Sequence, residues 1–91
     1  MITAISKYKT NFDLSFMISQ NLKKSLQIEV GKRIQQIRIE KNISQQDLAA
    51  KCNFEKSNMS RLEAGRSNAT LSTLETVSKA LEVDVIEFFR F

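Results

Sequence analysis

Proline is absent from this chain and glycine occurs only twice, at Gly31 and Gly65. Tight hairpins place glycine, asparagine or aspartate at their corners, so helices with short connections are a better expectation than strands and turns. Histidine is also absent, and the single cysteine, Cys52, excludes an internal disulfide and a multi-cysteine metal site. The commonest zinc ligand and general base is therefore missing. No constellation of the other residues supports catalysis, so an enzyme, a metal site or a cofactor is not expected. Long apolar runs are lacking as well. Residues 1–16 have no basic start, unbroken apolar stretch or small-residue cleavage site, and no segment approaches the ~20 apolar residues of a membrane span. A cytoplasmic location is the resulting expectation.

What is present suits one modest hydrophobic core. The 91 residues are 42% hydrophobic and 26% charged, enough for a single domain and too few for a second. The formal net charge is +4 and is unevenly spread. In residues 75–91, Lys79 and Arg90 are outnumbered by Glu75, Glu82, Asp84 and Glu87, so the positive excess lies in the rest of the chain. A basic body of this kind suits a polyanion on one face, though an ordinary soluble basic domain would look the same.

Apolar periodicity divides the chain into helices. From Leu26 to Lys41 the apolar residues Val30, Ile34 and Ile37 follow one helical face. Asn42 can end that helix in a left-handed conformation, and Ser44 with Asp47 forms an N-cap and acidic first turn for a short helix from Gln45 to Cys52. Asn53 supplies another left-handed corner, plugged by Phe54, before a third helix begins near Lys56 and ends at Gly65. On that helix Met59 and Leu62 point one way, and Lys56, Ser57, Ser60 and Arg61 cluster on the other. Thr70 or Ser72 caps a fourth helix carrying Leu71, Leu74, Val77 and Leu81; Glu75 after Ser72 has capping-box spacing. Val83–Phe91 reads either as a last helical turn with Val85, Phe88 and Phe89 inward, or as a strand. In residues 1–25, Phe12, Leu14 and Phe16 alternate with Asp13 and Ser15 in a strand-like period.

Two short helices around a three- to four-residue corner, the second with a polar and partly basic outer face, match what major-groove reading requires. The run Ser44-Gln45-Gln46-Asp47-Leu48-Ala49-Ala50-Lys51-Cys52-Asn53-Phe54, continued by Met59-Ser60-Arg61-Leu62-Glu63-Ala64-Gly65, resembles the Cro and phage-repressor (XRE-like) helix-turn-helix family. The resemblance extends over roughly residues 30–89. It implies an all-α, five-helix phage-repressor-like DNA-binding domain in residues 26–91, with residues 1–25 as an N-terminal extension. It also implies a sequence-specific regulator of transcription, most simply a repressor, that reads double-stranded DNA with residues 55–65.

Carried over position by position, the resemblance places Gln45 on a DNA phosphate and Lys56, Ser57, Ser60 and Arg61 on base edges and flanking phosphates. Gln46 and Asn58 are further candidates on the two helices, and Arg66 and Asn68 are candidate phosphate contacts from the following loop. An ion pair between Arg38 and Glu63 is implied as structural. Leu48, Ala49, Cys52, Phe54, Met59 and Leu62 belong to the core, which makes Cys52 a small buried hydrophobe. The chain departs from the family pattern in having Asn53 for the corner glycine, Glu55 at a usual serine or threonine cap and Glu82 for a frequent glycine.

Isolated domains of this size bury too little surface for tight selective binding, so a homodimer on a near-palindromic operator is expected. Residues 83–91 and residues 1–25 are the candidate dimer surfaces. The extension is alternatively a basic arm using Lys7, Lys9, Lys23 and Lys24. Two other roles use the same domain: an antitoxin that also binds a toxin protein, and a controller protein of a restriction–modification system.

Overall fold

The computed structural model describes residues 12–91, with side-chain positions from Leu26 onward. Its elements are α1 (Phe12–Glu40), α2 (Gln45–Cys52), α3 (Lys56–Glu63), α4 (Leu71–Leu81) and a 3-10 helix (Val85–Phe89). The expected all-helical fold is present, the fifth helical element being the 3-10 turn. No helix among the described residues is long and apolar enough to cross a membrane.

The short helices are delimited by their caps. Ser44 Oγ accepts from Asp47 N at 3.0 Å, and Thr70 Oγ1 accepts from Thr73 N at 3.1 Å. Thr70 thus settles the choice left open for α4, and Ser72 lies inside the helix, so the Ser72–Glu75 capping box does not form. Asn42, Asn53 and Glu82 take left-handed φ values of 58°, 60° and 58° at three helix ends, and Gly65 takes 73° just beyond α3. Asparagine enters this region with little penalty; a glutamate does so against its Cβ sterics.

One core joins these elements. Val30, Ile34 and Ile37 of α1 meet Leu48, Ala49 and Cys52 of α2, Met59 and Leu62 of α3, and Leu74, Val77 and Leu81 of α4, with Phe88 closing it. Phe54 packs against this core from the corner, only partly buried.

Three expectations are corrected. The strand-like alternation of residues 12–16 is not expressed: the backbone there is helical and continuous with α1, which crosses the boundary expected at residue 25. Residues 1–11, with Lys7 and Lys9 of the candidate arm, lie outside the described residues. In the C-terminal segment Phe88 is fully buried, whereas Val85 and Phe89 are 37% and 40% exposed. Residues three apart share a side of a 3-10 turn, so Phe88 and its neighbour Phe89 cannot both point inward. Leu71, expected on the inner stripe of α4, is 83% exposed because it stands at the first position, beyond the edge of the core.

Candidate nucleic-acid interface

The site is built on α3, which divides into two faces. Met59, Leu62 and Glu63 are buried, while Lys56, Ser57, Asn58, Ser60 and Arg61 are all exposed. The division follows from sequence: at 100° per residue Met59 and Leu62 share a side, and burying them turns the intervening polar residues outward. The corner that orients α3 against α2 is held by Asn53, whose left-handed conformation lets its N–H reach Ala50 O at 3.1 Å and that of Phe54 reach Ala49 O at 2.8 Å. Glu55 occupies the N-cap position of α3 with extended backbone and makes no side-chain cap bond.

The buried end of α3 is anchored by charge. Arg38 Nε and Nη2 donate to the two carboxylate oxygens of Glu63 at 2.6 and 3.1 Å, and Arg38 Nη1 donates to Ile43 O at 2.8 Å. This fork-to-fork pairing of guanidinium and carboxylate is the strongest geometry available to such a pair. Gln45 Nε2 adds a third donor to Glu63 at 3.0 Å. Gln45, named from sequence as a phosphate contact, is therefore half-buried and already engaged, whereas Gln46 beside it is exposed.

The remaining named residues lie around the outer face of α3. Arg61 Nη2 donates to Asn58 Oδ1 at 2.6 Å, and the two side chains line a shallow cleft with Phe54, Leu62, Ser67 and Thr73. Arg66 and Asn68 are exposed on the loop that leaves α3, where Arg66 N donates back to Arg61 O at 2.9 Å. Cys52 is buried away from this face, and burial pushes its thiol pKa up.

Two positioning residues went unseen in the sequence. Gly31, buried in the middle of α1, lies so close to α3 that a Cβ would stand 2.5 Å from Leu62 O and 2.7 Å from Glu63 O. Its signal was available, since a glycine inside a helical pattern costs about 1 kcal/mol against alanine and so asks for a packing reason. Arg33 donates from Nε to Glu87 O at 2.8 Å and pairs with the Glu87 carboxylate at 3.4 Å, tying the 3-10 turn to α1. Nothing in the local sequence distinguishes it from Lys32.

A short cationic helix held outward by a braced partner defines a helix-turn-helix DNA-binding domain. Residues 33–91 match the family model of the Cro/C1-type HTH DNA-binding domain, and the chain belongs to that family of DNA-binding transcription regulators. It is 45% identical over 56 residues to the immunity repressor protein of Bacillus phage phi105, a match that covers 62% of this chain and 39% of the repressor. It is 35% identical over 68 residues to control protein C.BamHI of Bacillus amyloliquefaciens, covering 70% of this chain and 84% of that protein. Its fold resembles that of the restriction-modification controller protein C.AhdI from Aeromonas hydrophila, with a TM-score of 0.70, 26% identity, and coverage of 72% of this chain and 96% of that one.

Proposed function

We propose that this protein is a sequence-specific repressor that binds double-stranded DNA as a homodimer, with α3 in the major groove. The observation that carries the reading is the exposure of Lys56, Ser57, Asn58, Ser60 and Arg61 together on a helix whose other face is buried. The groove admits one helix, and these residue types supply donors for base edges. Lys56 or Arg61 pairs with guanine, a bidentate contact contributing about 1–3 kcal/mol of discrimination, and Ser57 and Ser60 adapt to several bases. Gln45, Gln46, Arg66 and Asn68 serve phosphates on either side.

The dimer reading is supported by an apolar groove. Leu26, Val30, Leu62, Leu71, Leu74 and Phe89 line it, with Leu71, Phe89 and Leu26 the most exposed of them. Pairing through this groove would present two copies of α3 to half-sites about one helical turn, ~34 Å, apart. Residues 1–25 are a second candidate for contact with the partner or with DNA.

Control of a restriction–modification operon is a second reading, supported by the likeness to control protein C.BamHI and to the controller protein C.AhdI. The antitoxin reading has only the sequence resemblance behind it.

The test is a titration of operator and random duplexes at several salt concentrations, comparing wild type with Lys56→Ala and Arg61→Ala. Affinity for both duplexes should fall steeply with salt, with a log–log slope of about −0.9 per phosphate neutralised. Truncating a side chain that reads a base relaxes sequence preference, whereas truncating one that binds a phosphate weakens both duplexes alike. If Arg61→Ala changed neither affinity nor preference, Arg61 would have to be removed from the site.

A further inference from the structure

Asn58 and Arg61 stand one turn apart on the exposed side of α3. Arg61 Nη2 donates to Asn58 Oδ1 at 2.6 Å, and both side chains border the shallow cleft that Ser67 and Thr73 close on its far side. A guanidinium only donates, so the Asn58 amide must meet it with oxygen and turn its nitrogen away. Asparagine recognises adenine with both ends of the amide, the oxygen accepting from N6 and the nitrogen donating to N7. With its oxygen given to Arg61, Asn58 lacks the acceptor that this pairing needs. Arg61 gives up less, because a guanidinium carries several N–H groups and guanine O6 and N7 engage only a pair of them.

The partner of Arg61 also differs in charge from those of other arginines in the fold. Arg33 and Arg90 both pair with Glu87, and Arg38 pairs with Glu63. Among the described residues Arg61 forms no such ion pair, and what holds it is a neutral amide. A carboxylate in that place would aim the guanidinium as well but would offset the charge that draws it to a polyanion. The amide aims it and leaves the charge standing. Arginine is long and flexible, so ordering it before DNA arrives removes part of the entropy otherwise lost on binding.

We propose that Asn58 is a positioning residue for Arg61: the pair reads guanine through the guanidinium, and Asn58 reads no base of its own. This rests on the DNA-binding reading above and names the base that the outer face of α3 selects. Guanine preference at the base pair facing Arg61 then depends on both residues, and no separate adenine preference depends on Asn58.

The test is selection of bound sites from duplexes randomised across a half-site, by wild type, Arg61→Ala, Asn58→Ala and Asn58→Asp. Wild type should favour guanine at one position by about tenfold or more, and Arg61→Ala should abolish that preference. Asn58→Ala should cut it to about threefold or less at the same position, with preferences elsewhere and the melting temperature unchanged. Asn58→Asp returns an acceptor to Arg61, so the guanine preference should come back while affinity for every duplex falls with the added negative charge. A purely structural role for Asn58 would not divide preference from affinity in this way. The proposal is overturned if Asn58→Ala keeps the guanine preference, if it loses an adenine preference at another position, or if Asn58→Asp selects no better than Asn58→Ala. Unchanged selection by Arg61→Ala overturns it too, and leaves the DNA-binding reading to Lys56 and the serines. Wild type that binds every duplex alike also overturns it; wild type that binds none in dilute buffer defeats the DNA-binding reading itself, and this inference with it.

Discussion

The carboxylate of Glu63 accepts three side-chain hydrogen bonds, and its side chain is 2% exposed. Removing it leaves the Arg38 guanidinium, 11% exposed, without its counter-charge, and stranding one member of a buried pair costs about 3–5 kcal/mol. Glu63→Ala should therefore lower the urea midpoint sharply at unchanged m-value; full stability in that variant would show that Arg38 relaxes to solvent at no cost. Cys52 gives a prediction in pH. Burial raises its folded pKa, so its contribution is intact below the ordinary thiol range of about 8.5 and is lost as pH rises through the folded value. The stability of wild type relative to Cys52→Ala should accordingly decline on going from neutral to alkaline pH, and a difference constant with pH would deny the burial effect. Cys52 was legible as buried because it falls between the apolar positions of a helix too short to hide anything else. Gly31 was less so, because what it makes room for, the carbonyls of Leu62 and Glu63, lies more than thirty residues away in the chain.

At the scale of elements, the helix ends written in local chemistry were readable: Ser44 and Asn53 act at the ends of α2 as their residue types predict. The start of α1 was not, because the apolar residues of positions 12–16 alternate with polar ones while the backbone runs on as helix. The 3-10 turn was readable only as one of two alternatives, a last helical turn or a strand. What ties it to α1 is Arg33 reaching Glu87 across the fold, a contact with no signature in residues 85–89. The outer face of α3 was legible because Met59 and Leu62 fix its rotation, but the engagement of Gln45 with Glu63 was not. Glu55 offers the test at this scale. It has the extended backbone of an N-cap, φ −74° and ψ 149°, without a cap bond. Serine in that place can accept from the N–H of Asn58, three residues on, and a good cap contributes about 1 kcal/mol. Glu55→Ser should raise the melting temperature, and on the proposed reading, which brings Glu55 near the phosphates, it should tighten DNA binding as well. A higher melting temperature with unchanged affinity would place Glu55 clear of the DNA.

For the whole molecule the question is how one small domain becomes selective. On the proposed reading Arg61, Lys56 and two serines would read only a few base pairs, and joining two half-sites would multiply their discrimination. Leu71, 83% exposed, and Phe89, 40% exposed, stand at the rim of the apolar groove proposed for the partner, and neither belongs to the buried core. The double variant Leu71→Asp, Phe89→Asp should therefore fold with little loss of stability and sediment as a monomer. Once one half-site is bound, the second contact of a dimer is intramolecular, an advantage of about 10²–10⁴ in overall affinity. Operator binding by the variant should fall by about 10²-fold or more, while its affinity for a single half-site and the salt dependence per protomer stay as they were. That division separates loss of the partner from damage to α3, which would weaken the half-site too. A variant that still sediments as a dimer and holds the operator at wild-type affinity would move the contact elsewhere, with the N-terminal part of α1 the next surface to test.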